Sequence, residues 1–280
     1  MIKRAVLIGD TGGNATVLRE CLEEAGVVSG KVPESLMVVH VGDLIRCSEQ
    51  FRLGNAHSVE VIVGLLRDNP INFVQLLGNH ESAALGGPRR KGWDVEASLT
   101  QDTCSSLIAL WKSGAIRLAC ALDTVDLGSV LVSHAGLTRA RWLDIGQPAN
   151  AAKAAAAVNR DMQLPIRDWA RPGRLVGDMD AAADTTWAEV NLELYQPWLL
   201  NGDAPFSQVH GHSSPFNFQQ DSWWPDATSL VRAATRVDKR IRRTVTLLTP
   251  SIKAIAIDWN LGDVPIDDVP SWPLLQLDCH

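Results

Sequence analysis

The stretch LMVVHVG at positions 36–42 is a short β-branched run that ends in glycine, and Asp43 follows it directly. Runs of this length bounded by glycine are typical of buried strands. Four similar runs lead into Asp10, Asn79, His134 and His212. Helical patterns lie between the runs: Asn14 is a predicted N-cap, and a second helix is predicted over residues 57–67. This alternation indicates a layered α/β fold.

The five polar residues that follow these runs share an expected location. The carboxyl ends of strands in an open α/β sheet form the crevice where ligands bind, so residues far apart in the sequence meet there. We therefore expect Asp10, Asp43, Asn79, His134 and His212 to converge on one metal site. Mixed oxygen and imidazole ligation favours manganese, iron or zinc over calcium.

The local contexts of these residues form an ordered set of motifs: GDTGGN (9–14), GDLIR (42–46), GNHE (78–81), HAG (134–136) and GHS (211–213). In this order they resemble the calcineurin-like metallophosphoesterases. The GNHE and HAG forms are most similar to the branch that contains bacterial serine/threonine protein phosphatases and diadenosine tetraphosphatases. A weaker similarity lies at AIDWN, residues 256–260.

The resemblance implies a fold and an organisation for the chain. The fold is α/β, a two-sheet β-sandwich flanked by helices in α/β/β/α layers. We expect residues 1–280 to form a single domain with a variable, substrate-selecting insertion around residues 140–205. Ten tryptophans occur in the chain, and those of this insertion either shape a pocket or pack in the core. Packing is favoured, because that is the usual role of tryptophan.

The resemblance also implies a pair of divalent metal ions, with manganese preferred and iron or zinc as alternatives. Asp43 would bridge the two ions, Asp10 would hold the first, and Asn79, His134 and His212 would hold the second. Two ions about 3.5 to 4 Å apart clamp a phosphoryl group and lower the pKa of a bridging water. The implied chemistry is hydrolysis of a phosphate ester.

Two further residues receive roles from the resemblance. His80 would be the general acid, for which an imidazole with an unperturbed pKa of about 6.5 is suited. Arg46 is the candidate phosphate ligand, because the guanidinium fork matches phosphate oxygens. No arginine matches the second phosphate ligand of the family, and Arg167, Arg171 and Arg174 are unassigned candidates. The cations at 89–91 either attract substrate or form a solvated surface loop, which is favoured.

Two departures from the family pattern bear on activity. Gly12 occupies the position of a histidine that ligates the first ion, and glycine cannot ligate. The second motif lacks the aspartate that orients the catalytic histidine, and losing such a partner typically costs about 10- to 100-fold in activity or metal affinity. A weakened binuclear site is the favoured outcome, ahead of a mononuclear enzyme and of a phosphate-binding module without turnover. His210, on the same strand face as His212 by alternation, is either a replacement ligand or a satisfied core histidine, which is favoured for a histidine on an apolar strand.

Composition limits the classes of partner. The chain has 26 basic and 32 acidic residues and a formal charge of −6, which opposes nonspecific attraction to nucleic acid. The five cysteines show no C-x-x-C spacing, so neither a disulfide framework nor a structural zinc site is indicated. Without a signal-peptide pattern or an apolar run of about 18 residues, we expect a cytoplasmic protein with no membrane partner.

These observations favour a metal-dependent phosphoesterase, similar to protein phosphatases, that hydrolyses a phosphomonoester. Its substrate would be a phosphorylated small molecule, a nucleotide or a phosphoprotein. Two alternatives are a nucleotide hydrolase like the diadenosine tetraphosphatases and a catalytically impaired regulatory protein that binds metal and phosphate.

Overall fold

The structure is a computed structural model that describes residues 1–178, 182–258 and 274–280. Its strands are β1 (Arg4–Ile8), β2 (Leu36–His40), β3 (Phe73–Leu76), β4 (Ile116–Arg117), β5 (Ala119–Thr124), β6 (Gly128–Ser133), β7 (Ser207–His210), β8 (Phe216–Asn217), β9 (Ser222–Trp223), β10 (Thr235–Asp238), β11 (Arg243–Leu247), β12 (Lys253–Ala256) and β13 (Leu275–Asp278).

The α-helices of these residues are α1 (Ala15–Glu24), α2 (Arg52–Asp68), α3 (Asn79–Ala84), α4 (Val95–Ser98), α5 (Gln101–Lys112), α6 (Arg139–Asp144), α7 (Ala151–Asn159), α8 (Ile166–Trp169), α9 (Gln196–Asn201) and α10 (Ser229–Ala234). Shorter 3-10 segments lie at Glu49–Phe51, Arg160–Gln163 and Gly173–Val176, and a π-helical segment lies at Val190–Tyr195.

The strands form two main sheets. One has the order β13-β1-β2-β3-β4, in which β1 to β4 run parallel and β13 is antiparallel to β1. The other has the order β10-β11-β12-β7-β6-β5, in which β12, β7 and β6 run parallel. Strands β8 and β9 form a separate hairpin. The parallel strands in the middle of each sheet place several carboxyl ends side by side.

Two apolar layers hold the sheets and helices together. Leu7 and Val39 point between the sheets and pack with Val132 and Val209 of the second sheet. Their strand neighbours, Val6 among them, point to the opposite face and join the core that the helices cover. Burial on both faces explains why the strands are continuous apolar runs and not alternating ones. The predicted α/β/β/α arrangement is therefore confirmed.

The two predicted helices differ in how well their starts were placed. Helix α1 begins after Asn14, whose Oδ1 accepts a hydrogen bond from the Val17 amide at 3.2 Å, as the N-cap prediction required. Helix α2 begins at Arg52, five residues before the predicted start. The leucine of its first turn, Leu53, is exposed and does not belong to the buried apolar stripe of the helix. The apolar pattern of the sequence therefore did not predict this turn.

The tryptophans of the 140–205 region are structural. Trp142, Trp169, Trp187 and Trp198 are all buried, so the packing interpretation is confirmed for them. The five cysteines have free thiols, as predicted. Within the described ranges, we find no helix with the length and apolar character needed to cross a membrane.

Candidate metal centre

All five predicted ligands lie just beyond the carboxyl ends of parallel strands. Asp10 follows β1, Asp43 follows β2, Asn79 follows β3, His134 follows β6 and His212 follows β7. Four of them line one cavity of about 230 Å³. The fifth, His134, is fully buried and contacts Asp43 and His212 from within the protein. The structure therefore brings the predicted residues together at one edge of the two sheets.

Asp43, His134 and His212 offer three ligand atoms within 4.8 Å of one another. The Nε2 atom of His134 lies 3.5 Å from Asp43 Oδ1 and 3.2 Å from His212 Nδ1. Since the carbonyl of Val41 can only accept, Nδ1 of His134 is the donor of their 3.1 Å hydrogen bond. That bond leaves the lone pair of Nε2 facing the cluster, which is the usual way of orienting a metal-binding histidine.

Asp10 and Asn79 carry buried oxygens that lack a hydrogen-bond partner in the described part of the chain. These atoms are Oδ1 of Asp10 and Oδ1 of Asn79, while Oδ2 of Asp10 accepts from the His212 amide at 2.9 Å. An unsatisfied buried polar group costs about 1–3 kcal/mol, and a cation bound to it removes that cost. The donor set therefore fits a divalent metal.

Burial and neighbouring charges raise the pKa values of the acidic groups in the site. Burial raises the pKa of Asp10 well above its ordinary value, and the charges of Asp258 and Asp43 add to the effect. Burial likewise raises the pKa of Asp43, with Glu81 as the next cause. Such perturbed carboxyls in a cleft are typical of functional sites.

The loops that carry the candidate ligands have unusual backbone conformations and pack closely against each other. Asp43 and His212 have φ angles of 48° and 61°, in the left-handed region that costs a non-glycine residue about 1–2 kcal/mol. Gly42, just before Asp43, has a φ of 111°, and a side chain there would lie 2.7 Å from the Gly78 amide. The glycine before Asp43 is thus required by the contact between the β2 and β3 loops.

Glu81 holds these two loops together, a role that the sequence did not assign. Its Oε2 accepts from the amides of Asp43 at 3.0 Å and Gly78 at 2.8 Å, and its Oε1 accepts from Ile45 at 2.9 Å. Burial raises its pKa to about 7, although these hydrogen bonds act in the opposite direction. The signal was present, because Glu81 is the last residue of the GNHE motif.

His80 points its Nε2 into the cavity, 3.9 Å from Asp43 Oδ2. Its Nδ1 accepts a hydrogen bond from the Cys47 amide at 3.0 Å. Its ring stacks on Trp93 with the centroids 4.0 Å apart, and Trp187 stacks behind Trp93 at 5.4 Å. Burial, followed by the charge of Arg46, lowers the pKa of His80 to about 3. A backbone amide and a stacked ring therefore orient this histidine without the aspartate of the family pattern.

Two arginines line the cavity. Arg46 was predicted, and its backbone is held by Asn55 of α2 through two hydrogen bonds of 2.9 Å. Arg90 belongs to the exposed 89–91 loop, which is at the surface as expected but also lines the cavity. None of the unassigned candidates Arg167, Arg171 and Arg174 lines it.

His210 does not replace the missing ligand, in agreement with the favoured interpretation of a core histidine. Its Nε2 accepts from the Tyr195 hydroxyl at 2.7 Å, and its Nδ1 donates to the Gly211 carbonyl at 2.9 Å. Strand β7 ends at His210, and the chain turns at His212, so alternation does not place both rings on one face. His210 is a satisfied core histidine.

Asp258 is a further carboxylate of the cavity wall, and no metal-binding role was predicted for it. It lies two residues after β12, is 6% exposed, and lines the cavity with Asp10 and Gly12. The sequence pattern before Asp258 is the same as that before the predicted ligands, a short apolar run followed by a side chain that can bind metal. The end of the weaker AIDWN similarity, Trp259 and Asn260, lies outside the described residues.

Comparison with protein-family models found no match, and comparison with curated proteins also found none. Solved structures do match. The cold-active protein tyrosine phosphatase of a psychrophilic Shewanella species is 17% identical, with a TM-score of 0.53 over 99% of this chain and 75% of that one. A protein serine/threonine phosphatase from Saccharomyces cerevisiae is 14% identical, with a TM-score of 0.48 over 99% of this chain and 80% of that one.

A putative diadenosine tetraphosphatase is 18% identical, with a TM-score of 0.45 over 100% of this chain and 95% of that one. The Shewanella phosphatase is similar enough in structure to establish a shared fold. The chain therefore shares the fold of the Shewanella phosphatase, and its two main sheets flanked by helices agree with the predicted fold class.

Proposed function

We propose that this chain is a metal-dependent phosphoesterase that hydrolyses phosphomonoesters. The observation that carries the proposal is the cluster of Asp43, His134 and His212, whose ligand atoms lie within 4.8 Å of one another beside a cavity that Arg46 and Arg90 line. Divalent ions bound there would clamp the phosphoryl oxygens and lower the pKa of a bound water. The two arginines supply cations for the same oxygens.

One side of the site is rich in nitrogen. His134 and His212 would hold one ion together with Asn79, whose buried Oδ1 has no partner in the described ranges. The two ring nitrogens lie 3.2 Å apart, close enough for both to bind the same ion. Asp43 would contribute the oxygen shared with the other ion.

The other side is rich in oxygen. Asp10 and Asp43 would hold the first ion, and Asp258 would supply the ligand that Gly12 cannot. Support comes from the position of Asp258 on the wall of the same cavity and from its charge, which helps to raise the pKa of Asp10. Carboxylate oxygens suit manganese, so we propose manganese as the metal of this side.

His80 would act on the alcohol that leaves. An amide can only donate, so the bond from Cys47 makes Nδ1 of His80 an acceptor and puts the proton of the neutral ring on Nε2. This N–H points into the cavity near Asp43. We propose that it donates a hydrogen bond to the leaving-group oxygen, at the place where the resemblance assigns a general acid.

Manganese titration of chelator-treated protein tests this function. Calorimetry and metal analysis would give the stoichiometry, and hydrolysis of phenyl phosphate and ethyl phosphate would be followed on the same samples. We expect manganese to bind at one or two equivalents and to switch on release of phosphate from at least one ester. Bound metal without hydrolysis of any ester would instead support a regulatory protein descended from an enzyme.

A further inference from the structure

A second cavity of about 150 Å³ adjoins the metal cavity, and the two share His212 and Asp258 in their walls. The remaining wall of the second cavity comes from residues 213–224, the segment that continues from His212 into the β8–β9 hairpin. A molecule held in this pocket therefore lies directly beside the metal cluster.

The pocket has aromatic walls. Phe216, Phe218 and Trp224 line it, with the amide side chains of Asn217 and Gln219. Trp224 is 42% exposed although it is a large apolar side chain, so part of its ring surface is open to a ligand. Aromatic side chains bind other rings by offset or edge-to-face contacts in addition to burying apolar area.

The walls are held in place before any ligand binds. Phe216 packs edge-on against Phe218 and against Trp223, with centroid distances of 5.3 and 5.4 Å. The Asn217 side chain accepts from the amides of Gln219 and Gln220, both at 3.0 Å, and so fixes the hairpin turn. A preformed pocket avoids part of the ordering cost of binding.

Charge and size together select the occupant. Among the described residues that line this pocket there is no lysine or arginine, whereas Arg46 and Arg90 line the metal cavity. A phosphoryl group is therefore stabilised in the metal cavity, and the pocket favours an uncharged group. A cavity of about 150 Å³ is large enough for benzene, whereas a nucleoside is much larger than benzene.

We infer that the pocket binds the aromatic ring of the leaving group, so that the preferred substrates are monoesters in which phosphate is attached to a benzene-sized ring. The inference rests on the proposed phosphoesterase function and narrows its substrate class. Hydrolysis would break the phosphorus–oxygen bond, with water supplying the hydroxyl that appears on phosphate and the proton that appears on the released phenol.

Binding of two non-hydrolysable analogues to manganese-loaded protein tests the inference. Calorimetry would compare phenylphosphonate with methylphosphonate, which present the same anion with and without a ring. We expect phenylphosphonate to bind about 10-fold more tightly, because stacking and burial of the ring add to the phosphonate contacts. Trp224→Leu should abolish that difference, so that phenylphosphonate binds no more tightly than methylphosphonate. Trp111→Leu, at a half-buried tryptophan that lines neither cavity, is the matched control.

The outcomes separate this inference from the proposed function. The aromatic pocket is overturned if the two phosphonates bind equally, or if the preference for phenylphosphonate persists in both Trp224→Leu and Phe218→Leu. In either case, hydrolysis of any ester still supports the phosphoesterase function. Tighter binding of adenosine monophosphate than of phenylphosphonate also overturns it. Failure of both phosphonates to bind, with no ester hydrolysed, overturns the proposed function itself. Should circular dichroism show that Trp224→Leu is unfolded, Phe218→Leu decides.

Discussion

The two sides of the proposed metal site are built to different degrees by this chain. On the side of His134 and His212, a buried hydrogen bond to Val41 already orients one imidazole, and the ring nitrogens lie 3.2 Å apart. On the other side, Gly12 offers no ligand, and Asp258 is the remaining carboxylate among the described residues that line the cavity. From this difference we expect the side of His134 and His212 to bind its ion more firmly and the side of Asp10 and Asp258 to limit the proposed activity.

Asp43→Asn should have the largest effect, because this carboxylate serves both sides. We expect both ions to bind more weakly and manganese-dependent turnover to fall by more than about 100-fold, beyond the 10- to 100-fold typical of a change outside the ligand set. Metal analysis and turnover of phenyl phosphate give the result. Asp226→Asn makes the same chemical change at an exposed position and serves as control. Wild-type stoichiometry in Asp43→Asn would contradict the shared-ligand assignment.

Asp258→Asn should separate the two sides. Removing this ligand is expected to weaken binding of the first ion by at least about 10-fold, the smallest effect typical of a contact outside the ligand set, and to leave binding of the second ion unchanged. Calorimetric titration with manganese would resolve one weakened and one unchanged binding step. Asp226→Asn is again the control, and equal weakening of both steps would show that Asp258 does not belong to one side.

Glu81→Gln should loosen the link between the Asp43 and Asn79 loops. The amide nitrogen of glutamine cannot accept a hydrogen bond, so at least one of the amides of Asp43, Ile45 and Gly78 loses its partner. A buried donor left unpaired costs about 1–3 kcal/mol of the free energy of unfolding. Urea unfolding of the apoprotein measures this loss, with the exposed Glu60→Gln as control. A loss no greater than that of the control would argue against the loop-linking role.

Gly12→His should have the smallest net effect, because two contributions oppose each other. An imidazole at this position would raise the affinity for the first ion by up to about 10-fold, the lower end of the effect of a residue that supports a metal site. The φ of 54° at Gly12 places any side chain in the left-handed region, at a cost of about 1–2 kcal/mol. Gly12→Ala has the backbone cost without the imidazole. Comparing the manganese affinities of Gly12→His and Gly12→Ala by calorimetry therefore measures the effect of the imidazole alone. Identical manganese affinity in the two variants would remove position 12 from the site.

The location of the candidate site was predictable because it depends on local patterning. Each of Asp10, Asp43, Asn79, His134 and His212 follows a short apolar run, and parallel strands bring such positions to one edge. Asp258 carries the same signal, which only the structure made evident by placing β12 beside β7. Strand alternation did not predict the position of His210 relative to His212, because strand β7 ends at His210 and the backbone turns at His212, whose φ is 61°.

The contacts that orient the reactive groups were not predictable from the sequence. Trp93 stacks on His80, the Cys47 amide binds its ring, and Arg90 lines the cavity from an exposed loop. These contacts join segments that no periodicity relates. By itself, the sequence predicted a layered α/β fold and the strand-end positions of the candidate ligands, because apolar runs and the residues that follow them involve only a few neighbouring positions. The arrangement in two sheets came from the resemblance of the ordered motifs. Only the tertiary structure decided the orientation of His80, the position of Asp258 on the cavity wall and the aromatic lining of the neighbouring pocket, because distances between separate loops depend on how the sheets and helices pack.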